Sequence, residues 1–310
     1  MSTPIVTVIV PTYNRSGLLK LTIESVLSQT FRDFELLVMD DASTDDTEAM
    51  CRAITDPRLK YVRQSKNLGV GGNWSDGLKR STTKYVCLLM DDDRYGPKFL
   101  EHRIPVLEAN PTCALVFSPF TQVDFEKHTE THSRTFPLRD GATLDGETFM
   151  RTTSVGGTHV GTQIYRREVL IGVLPLCTSF DLIIDSAFIV WMVVQEQIKA
   201  VFVEASDSLI AEHPSQVFHR RRREVYAKCD ELFLNAMAKS KRRSLGKLLK
   251  VLQAELLDQW ATYEACKGKP WAACRLWLKA MWVDPWAIRR WRQKLYTLRL
   301  ILGLAKPHAV

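Results

Sequence analysis

Leu88-Leu89-Met90 run straight into Asp91-Asp92-Asp93. Three adjacent carboxylates repel one another and cost stability unless something positive sits among them. An apolar strand delivering such a cluster makes a candidate cation site. Carboxylate oxygens suit hard ions such as Mg²⁺ or Mn²⁺, which keep waters and bind through one or two carboxylates plus a substrate's phosphates. The plainer alternative is an acidic surface turn, because Asp is common in turns. Two other apolar runs end in polar residues. Residues 34–39 (FELLVM) lead into Asp40-Asp41, and residues 5–10 (IVTVIV) lead into Pro11-Thr12-Tyr13-Asn14.

These groups need elements to position them. Residues 5–10 read as a buried strand of a parallel sheet. Leu18, Leu19, Ile23, Val26 and Leu27 then recur at helical spacing, with Asn14 or Ser16 as cap. Strands follow at 34–39, 59–63 and 84–90, separated by helical stretches at 47–54 and 74–80 and a Gly-rich loop at 67–72. Strand and helix alternate to residue 93, which predicts an α/β, doubly wound, mostly parallel sheet flanked by helices. In such sheets ligands lie outside the carboxyl ends of the strands, where all three polar endings would meet. Neither a GxGxxG fingerprint after the first strand nor a GxxxxGK[ST] loop is present, so the usual glycine cradle for phosphates is missing. A metal at the acidic triplet would take over that role.

Composition is ordinary for a globular chain of 310 residues, with 45% apolar and 25% charged residues. No apolar run reaches transmembrane length, and Met1-Ser2-Thr3-Pro4 lacks the features of a secretory signal. Seven cysteines without CxxC spacing argue against structural zinc and a disulfide framework, and point to a reducing cytoplasm. Charge is uneven. From Pro214 onward the chain carries 21 Lys+Arg against 7 Asp+Glu, a net +14 where the whole chain has +7, so the part before it carries −7. An acidic body with a basic tail suits contact with an anionic surface; a solvated helical face is the bland reading. Zinc fingers and RNP-type aromatic motifs are absent, so no nucleic-acid partner is expected.

Four segments in order, residues 8–14, Val38-Met39-Asp40-Asp41-Ala42-Ser43-Thr44-Asp45, Asn67-Leu68-Gly69 and Met90-Asp91-Asp92-Asp93, resemble the N-terminal signatures of the family 2 glycosyltransferases. The resemblance is strong over about the first hundred residues and looser to about residue 215. It implies a GT-A fold and an inverting transfer from a nucleotide-sugar donor, commonly a UDP-sugar. By position, Pro11, Thr12 and Tyr13 would line the base pocket, with Asn14 beside them, and Asp41 would accept a hydrogen bond from the base. Asp91 and Asp92 would approach the ribose or sugar, and Asp93 would hold Mn²⁺ or Mg²⁺. Tyr13 as a core residue and Asp41 as a helix cap are the alternatives. Where relatives place an Arg and then an Asn after the Gly-rich loop, this chain has Asn73-Trp74-Ser75. Asn73 is placed near the nucleotide, and Arg63, Lys66 or Arg94 would replace the missing Arg.

Beyond Pro97 the pattern loosens. Helix 99–109 and strand 113–118 are followed by a polar loop or hairpin at 123–140, where His128 and His132 read as solvated. Thr162 to Tyr165 and the Arg166-Arg167-Glu168-Val169-Leu170 that follows resemble the family's strand and helix beside the acceptor. Where the family has Glu-Asp at a later helix start, this chain has Ile184-Asp185. Asp185 is the candidate base for the acceptor hydroxyl, its alternative role being an N-cap, with Asp181 in reserve. Leu209 to Pro214 resembles the closing Arg-x-His-Pro motif, with Ala211 in place of Arg and His213 as a possible second metal ligand.

The expected organisation is a donor half at 1–97, an acceptor half at 98–215 and a helical C-terminal extension at 216–310. Tail helices are expected at 217–235, 244–262 and 271–282. Another follows Asp284-Pro285, with Ile288, Trp291, Leu295, Leu298 and Leu302 on one stripe. That stripe beside basic residues suits an anionic membrane surface, or packing on the catalytic domain. The functional expectation is a metal-dependent inverting glycosyltransferase acting on a glycan or lipid-linked acceptor in surface polysaccharide or glycolipid synthesis. It would be cytoplasmic, or peripheral on the inner face of the membrane. The alternative is a catalytically inactive nucleotide-binding regulatory protein with the same fold.

Overall fold

In a computed structural model of the protein, residues 4–125, 127, 129–153, 159–177, 179–180, 183–195, 198–211, 222–284 and 297–302 are described. The chain divides into two compact units, Met1–Gln216 and Val217–Val310. The first begins β1 (Val6–Thr12), α1 (Ser16–Leu27), β2 (Phe34–Asp40), α2 (Thr47–Arg52), β3 (Leu59–Arg63), α3 (Gly69–Arg80), β4 (Tyr85–Leu88) and β5 (Arg94–Tyr95). It continues with α4 (Phe99–Ala109), β6 (Cys113–Phe117), β7 (Phe120–Asp124), β8 (Thr129–Arg134), β9 (Thr143–Asp145) and α5 (Gly146–Thr153). A 3-10 turn (Val160–Thr162), β10 (Ile164–Arg166), α6 (Arg167–Cys177), α7 (Ile184–Gln195), β11 (Lys199–Phe202) and β12 (Ser208–Ala211) complete it.

The large sheet runs β3-β2-β1-β4-β10-β6-β11-β9. Its first four strands are parallel, and β10 enters antiparallel between β4 and β6. The β-branched β1 is buried throughout, as expected of a central strand covered on both faces. Val6, Val8 and Val10 face α1 and α4, sharing a core with Leu19, Ile23, Val26, Phe99, Ile104 and Leu107. α3 covers the other face at close range: a Cβ added to Gly77 would sit 2.9 Å from Ile9 Cγ2. The sequence reading ended this strand before Pro11. It continues to Thr12 because β1–β4 pairing stops at Ile9 opposite Leu88, so no partner on that side needs the missing N–H, while Pro11 still aligns with Met39 of β2.

A second sheet, β5-β12-β7-β8, was not foreseen, nor were β9 and α5. These segments are too short to show a period. The polar stretch after β7 forms a β7–β8 hairpin, where His132 aligns with Gln122; His128 lies outside the described residues.

The second unit contains α8 (Arg222–Lys239), α9 (Arg243–Cys266) and α10 (Pro270–Val283). Polar pairs join them. The Arg223 guanidinium donates to both Glu264 oxygens at 2.5 and 2.6 Å. Asp230 accepts from Gln253 Nε2 and Lys279 Nζ, each at 2.5 Å. Of the expected helix after Pro285, residues 285–296, with Ile288, Trp291 and Leu295, lie outside the described residues. No described helix is long and apolar enough to cross a membrane.

Candidate active site

The ends of β1, β2 and β4 share one rim. At β1, Thr12 Oγ1 donates to Asp91 Oδ2 at 2.8 Å, across to the residues after β4. Pro11 is buried, whereas the next ring, Tyr13, is 47% exposed. Asn14 adopts the left-handed conformation (φ 53°) that Asn tolerates better than most residues. Its side-chain oxygen accepts from Thr44 N at 2.7 Å, and its own N–H donates to Ser43 Oγ at 2.9 Å. The β1–α1 turn is thereby tied to the loop after β2.

At β2 the two carboxylates differ. Asp40 faces inward and accepts from Ser43 N and the Tyr61 hydroxyl. Asp41 accepts from Leu68 N at 2.6 Å and Gly69 N at 3.0 Å. It thus caps α3 from another element, satisfying amides the helix cannot bond itself. This is why α3 begins at Gly69 (φ 76°), inside what the sequence presents as a Gly-rich loop. Burial pushes the Asp41 carboxyl up, with the two amides opposing. Each oxygen keeps a second lone pair for a ligand.

The triplet contains the positive partner its charge demands, and it is Arg15. Arg15 Nη1 lies 3.0 Å from Asp91 Oδ1 and 2.9 Å from Asp92 Oδ2. Thr22 Oγ1 of α1 sits 3.0 and 2.8 Å from the carbonyl oxygens of Asp91 and Asp93, fixing the backbone. Burial pushes Asp91 up to about 6, with Arg15 opposing.

Asp93 is arranged differently. Its Oδ1 accepts from Ala211 N of β12 at 2.8 Å. Its Oδ2 is buried without a hydrogen-bond partner among the described residues. His159 Nδ1 lies 3.6 Å from that oxygen and accepts from Gly161 N at 3.2 Å, which assigns the ring proton to Nε2. Burial drives the Asp93 carboxyl well above its ordinary value, reinforced by the Asp92 charge. It lowers His159, with Asp185 and Asp92 opposing. Asp185 stands in the first turn of α7, its carboxyl also raised by burial; the Ser186 amide and His159 oppose the shift. The orphaned Asp93 oxygen in an acidic cluster fits a hard divalent ion. Among the described residues no three His, Cys, Asp or Glu side chains enclose an ion on their own. The fit is therefore to an ion taking one or two carboxylates and completing its shell from a bound diphosphate.

Thr12, Asp91, Asp92 and Asp93 come together directly, and Asp185 joins them electrostatically through His159. Asn73 lies behind the rim: its Nδ2 donates to Met39 O at 2.7 Å, and its Oδ1 accepts from Gln64 Nε2 at 3.3 Å. Asp181 and His213 lie outside the described residues. Of the cations proposed to replace the missing Arg, Arg63 bonds Ser43 O and pairs with Glu48, and Arg94 stacks on Phe125. Arg15 and His159 were missed. The signal for Arg15 was its place directly after Pro-Thr-Tyr-Asn, on the rim that needed a cation. His159 was marked only by Gly161 two residues on, where an added Cβ would lie 3.2 Å from His159 Nδ1.

The arrangement is that of a GT-A fold. It superposes with TM-score 0.69 on Staphylococcus aureus TarS 1-349 in complex with UDP, at 17% identity, covering 96% of this chain and 88% of that one. Against the mannosyltransferase PcManGT of Pyrobaculum calidifontis, in complex with GDP-Man and Mn²⁺, the TM-score is 0.61 at 20% identity, covering 99% and 82%. The sequence profile of glycosyl transferase family 2 matches residues 7–174, and the chain belongs to that family. A Campylobacter jejuni relative, the GalNAc(5)-diNAcBac-PP-undecaprenol beta-1,3-glucosyltransferase, is 41% identical over 93 residues, 29% of this chain and 30% of that protein. The matched stretches span less than half the length of the curated relatives.

Proposed function

We propose that this chain transfers a sugar, with inversion, from a UDP-sugar to a glycan or lipid-linked glycan acceptor in surface polysaccharide or glycolipid synthesis. The observation that carries the reading is the rim: the exposed Tyr13 ring, the Asp41 carboxylate, the Arg15-locked pair Asp91 and Asp92, and the orphaned oxygen of Asp93. The similarity to a UDP-bound structure and to a relative named for an undecaprenol-linked glycan supports the donor and acceptor classes.

In this reading the Tyr13 face stacks on the base, flanked by Pro11, Thr12 and Asn14, and Asp41 accepts a base N–H. Asp91 and Asp92 meet the ribose and sugar, and Asn73 holds β2 to α3 behind them. Asp185 takes the acceptor hydroxyl's proton as the new C–O bond forms at the anomeric carbon, and the bond to the diphosphate breaks with its electrons leaving on UDP. Asp93, with His213 as second ligand, would hold Mn²⁺ or Mg²⁺, which supplies neutralisation of the leaving diphosphate; the Mn²⁺-bound PcManGT complex supports this. Residues 1–97 form the donor half and 98–215 the acceptor half. A lipid-linked acceptor puts the work at a membrane face, on the cytoplasmic side.

Thermal-shift titration with UDP and UDP-sugars, with and without Mn²⁺, tests the reading. The expected outcome is stabilisation by UDP that Mn²⁺ strengthens, with the Mn²⁺-dependent part lost in Asp93→Ala. No response to any uridine nucleotide would overturn the donor assignment. A response indifferent to Mn²⁺ would overturn the metal alone.

A further inference from the structure

α10 buries the small side chains Ala273 and Ala280, holds Leu276, Trp277 and Met281 half-buried, and turns three large apolar side chains outward. Trp271 and Trp282 are each 85% exposed and Leu278 is 55% exposed. With Arg275 they follow steps of four, three and four residues, which is one stripe of a helix. The stripe is about 16 Å long. Two tryptophans left almost wholly in water are unusual, because the residue is ordinarily well buried. The helix itself carries charge of one sign, with Asp284 just past its end. From Lys267 to Val283 the sequence holds no Asp or Glu, and Lys267, Lys269 and Arg275 are exposed. Lys279 is tied back to Asp230 of α8.

We propose that this face of α10 docks on the headgroup region of an anionic lipid bilayer. An indole with an apolar body and one N–H suits the boundary between headgroups and acyl chains. Basic side chains beside it complement lipid phosphates. A second copy of the chain fits worse, since pairing the stripe with itself would bring the same cations together. The inference deepens the function proposed above by naming the surface that would bring a lipid-linked acceptor within reach. It rests on that reading for its use but not for its chemistry.

The test is co-sedimentation of the full chain with phosphatidylcholine vesicles containing about one-third phosphatidylglycerol. Wild type is expected to pellet, and to be released as salt rises. The triple variant Trp271→Ser, Leu278→Ser, Trp282→Ser should bind at least tenfold more weakly, with unchanged circular dichroism and melting temperature. Arg275→Gln with Lys269→Gln should weaken binding by about fivefold per residue and flatten the salt dependence. A triple variant that pellets like wild type overturns the proposal, as does a wild type that never pellets. So does a wild-type dimer in sedimentation velocity that the triple variant dissolves. UDP binding is measured separately, so loss of the donor reading and loss of lipid docking are told apart.

Discussion

Two corners of the site treat their carboxylates in opposite ways. Along the ends of β1 and β2 every acidic group has a close partner: Asp40 has Ser43 and Tyr61, and Asp41 has two backbone amides. Asp91 and Asp92, just past β4, share the Arg15 guanidinium. Where β12 and α7 arrive, compensation thins out. Asp93 keeps one oxygen without a hydrogen bond, and Asp185 has a carboxyl raised by burial. The well-paired corner is rigid, which suits recognition of a flat base and a ribose. The other corner leaves a buried carboxylate oxygen without a hydrogen bond, which suits a cation ligand, beside an Asp185 that burial raises as it raises Asp91, which suits a base. Donor binding and chemistry should therefore respond to different substitutions.

The largest effect expected is at Asp185. Asp185→Asn should lower turnover by about 10²–10⁴-fold with the UDP dissociation constant little changed, the usual contribution of a general base. A base must be ionised, and burial raises this carboxyl. The acid limb of the wild-type kcat/KM profile should therefore lie above the ordinary carboxylate range, with activity falling as pH drops through it. A profile flat down to the ordinary carboxylate range, or a variant of normal turnover, would remove Asp185 from the chemistry.

Asp41 sharpens the comparison from the other side, because capping α3 and reading the base make separable demands. Asp41→Asn keeps one acceptor oxygen and loses the charge. If the carboxylate reads the base, UDP binding should weaken by about 10–100-fold, the range of a charged hydrogen bond. The cap itself should cost only about 1 kcal/mol. Calorimetric titration beside a melting curve separates the two. A lower melting temperature with unchanged UDP affinity would leave Asp41 as the cap alone.

The well-paired corner was also the legible one. Parallel strands buried on both faces announce themselves as β-branched runs, and their ends mark the rim; hence Thr12, Asp41 and the triplet could be read along the chain. The demand for a positive charge among three aspartates was legible, but its supplier was not. Arg15 reaches Asp91, 76 residues further along the chain, and Asp92 only because β1 and β4 are neighbours in space. His159 and Ala211 reach Asp93 through short strands and a 3-10 turn that carry no periodic signal. The start of α3 was hidden for the same reason, since its cap comes from the end of β2.

Asp91 tests how fully the paired corner is compensated. Its carboxyl is pushed up to about 6 from 3.8 even with Arg15 in contact, so burial outweighs the ion pair. Below about pH 4 folded and unfolded chains both carry this proton, and the residue has no net effect. Between about 4 and 6 the unfolded chain ionises while the folded one stays protonated, so stability falls as pH rises. Above about 6 the loss is complete, on the order of 3 kcal/mol by the size of the shift. Asp91→Asn mimics the protonated acid and leaves Arg15 its contact with Asp92 at 2.9 Å. Melting temperatures of variant and wild type should therefore agree near pH 4, with the variant several degrees higher at pH 7.5 while it binds UDP more weakly. A variant that melts below wild type at pH 7.5 would show that the Arg15 pair more than offsets burial. The contrast between the two corners would then be one of net stability and not only of partner count.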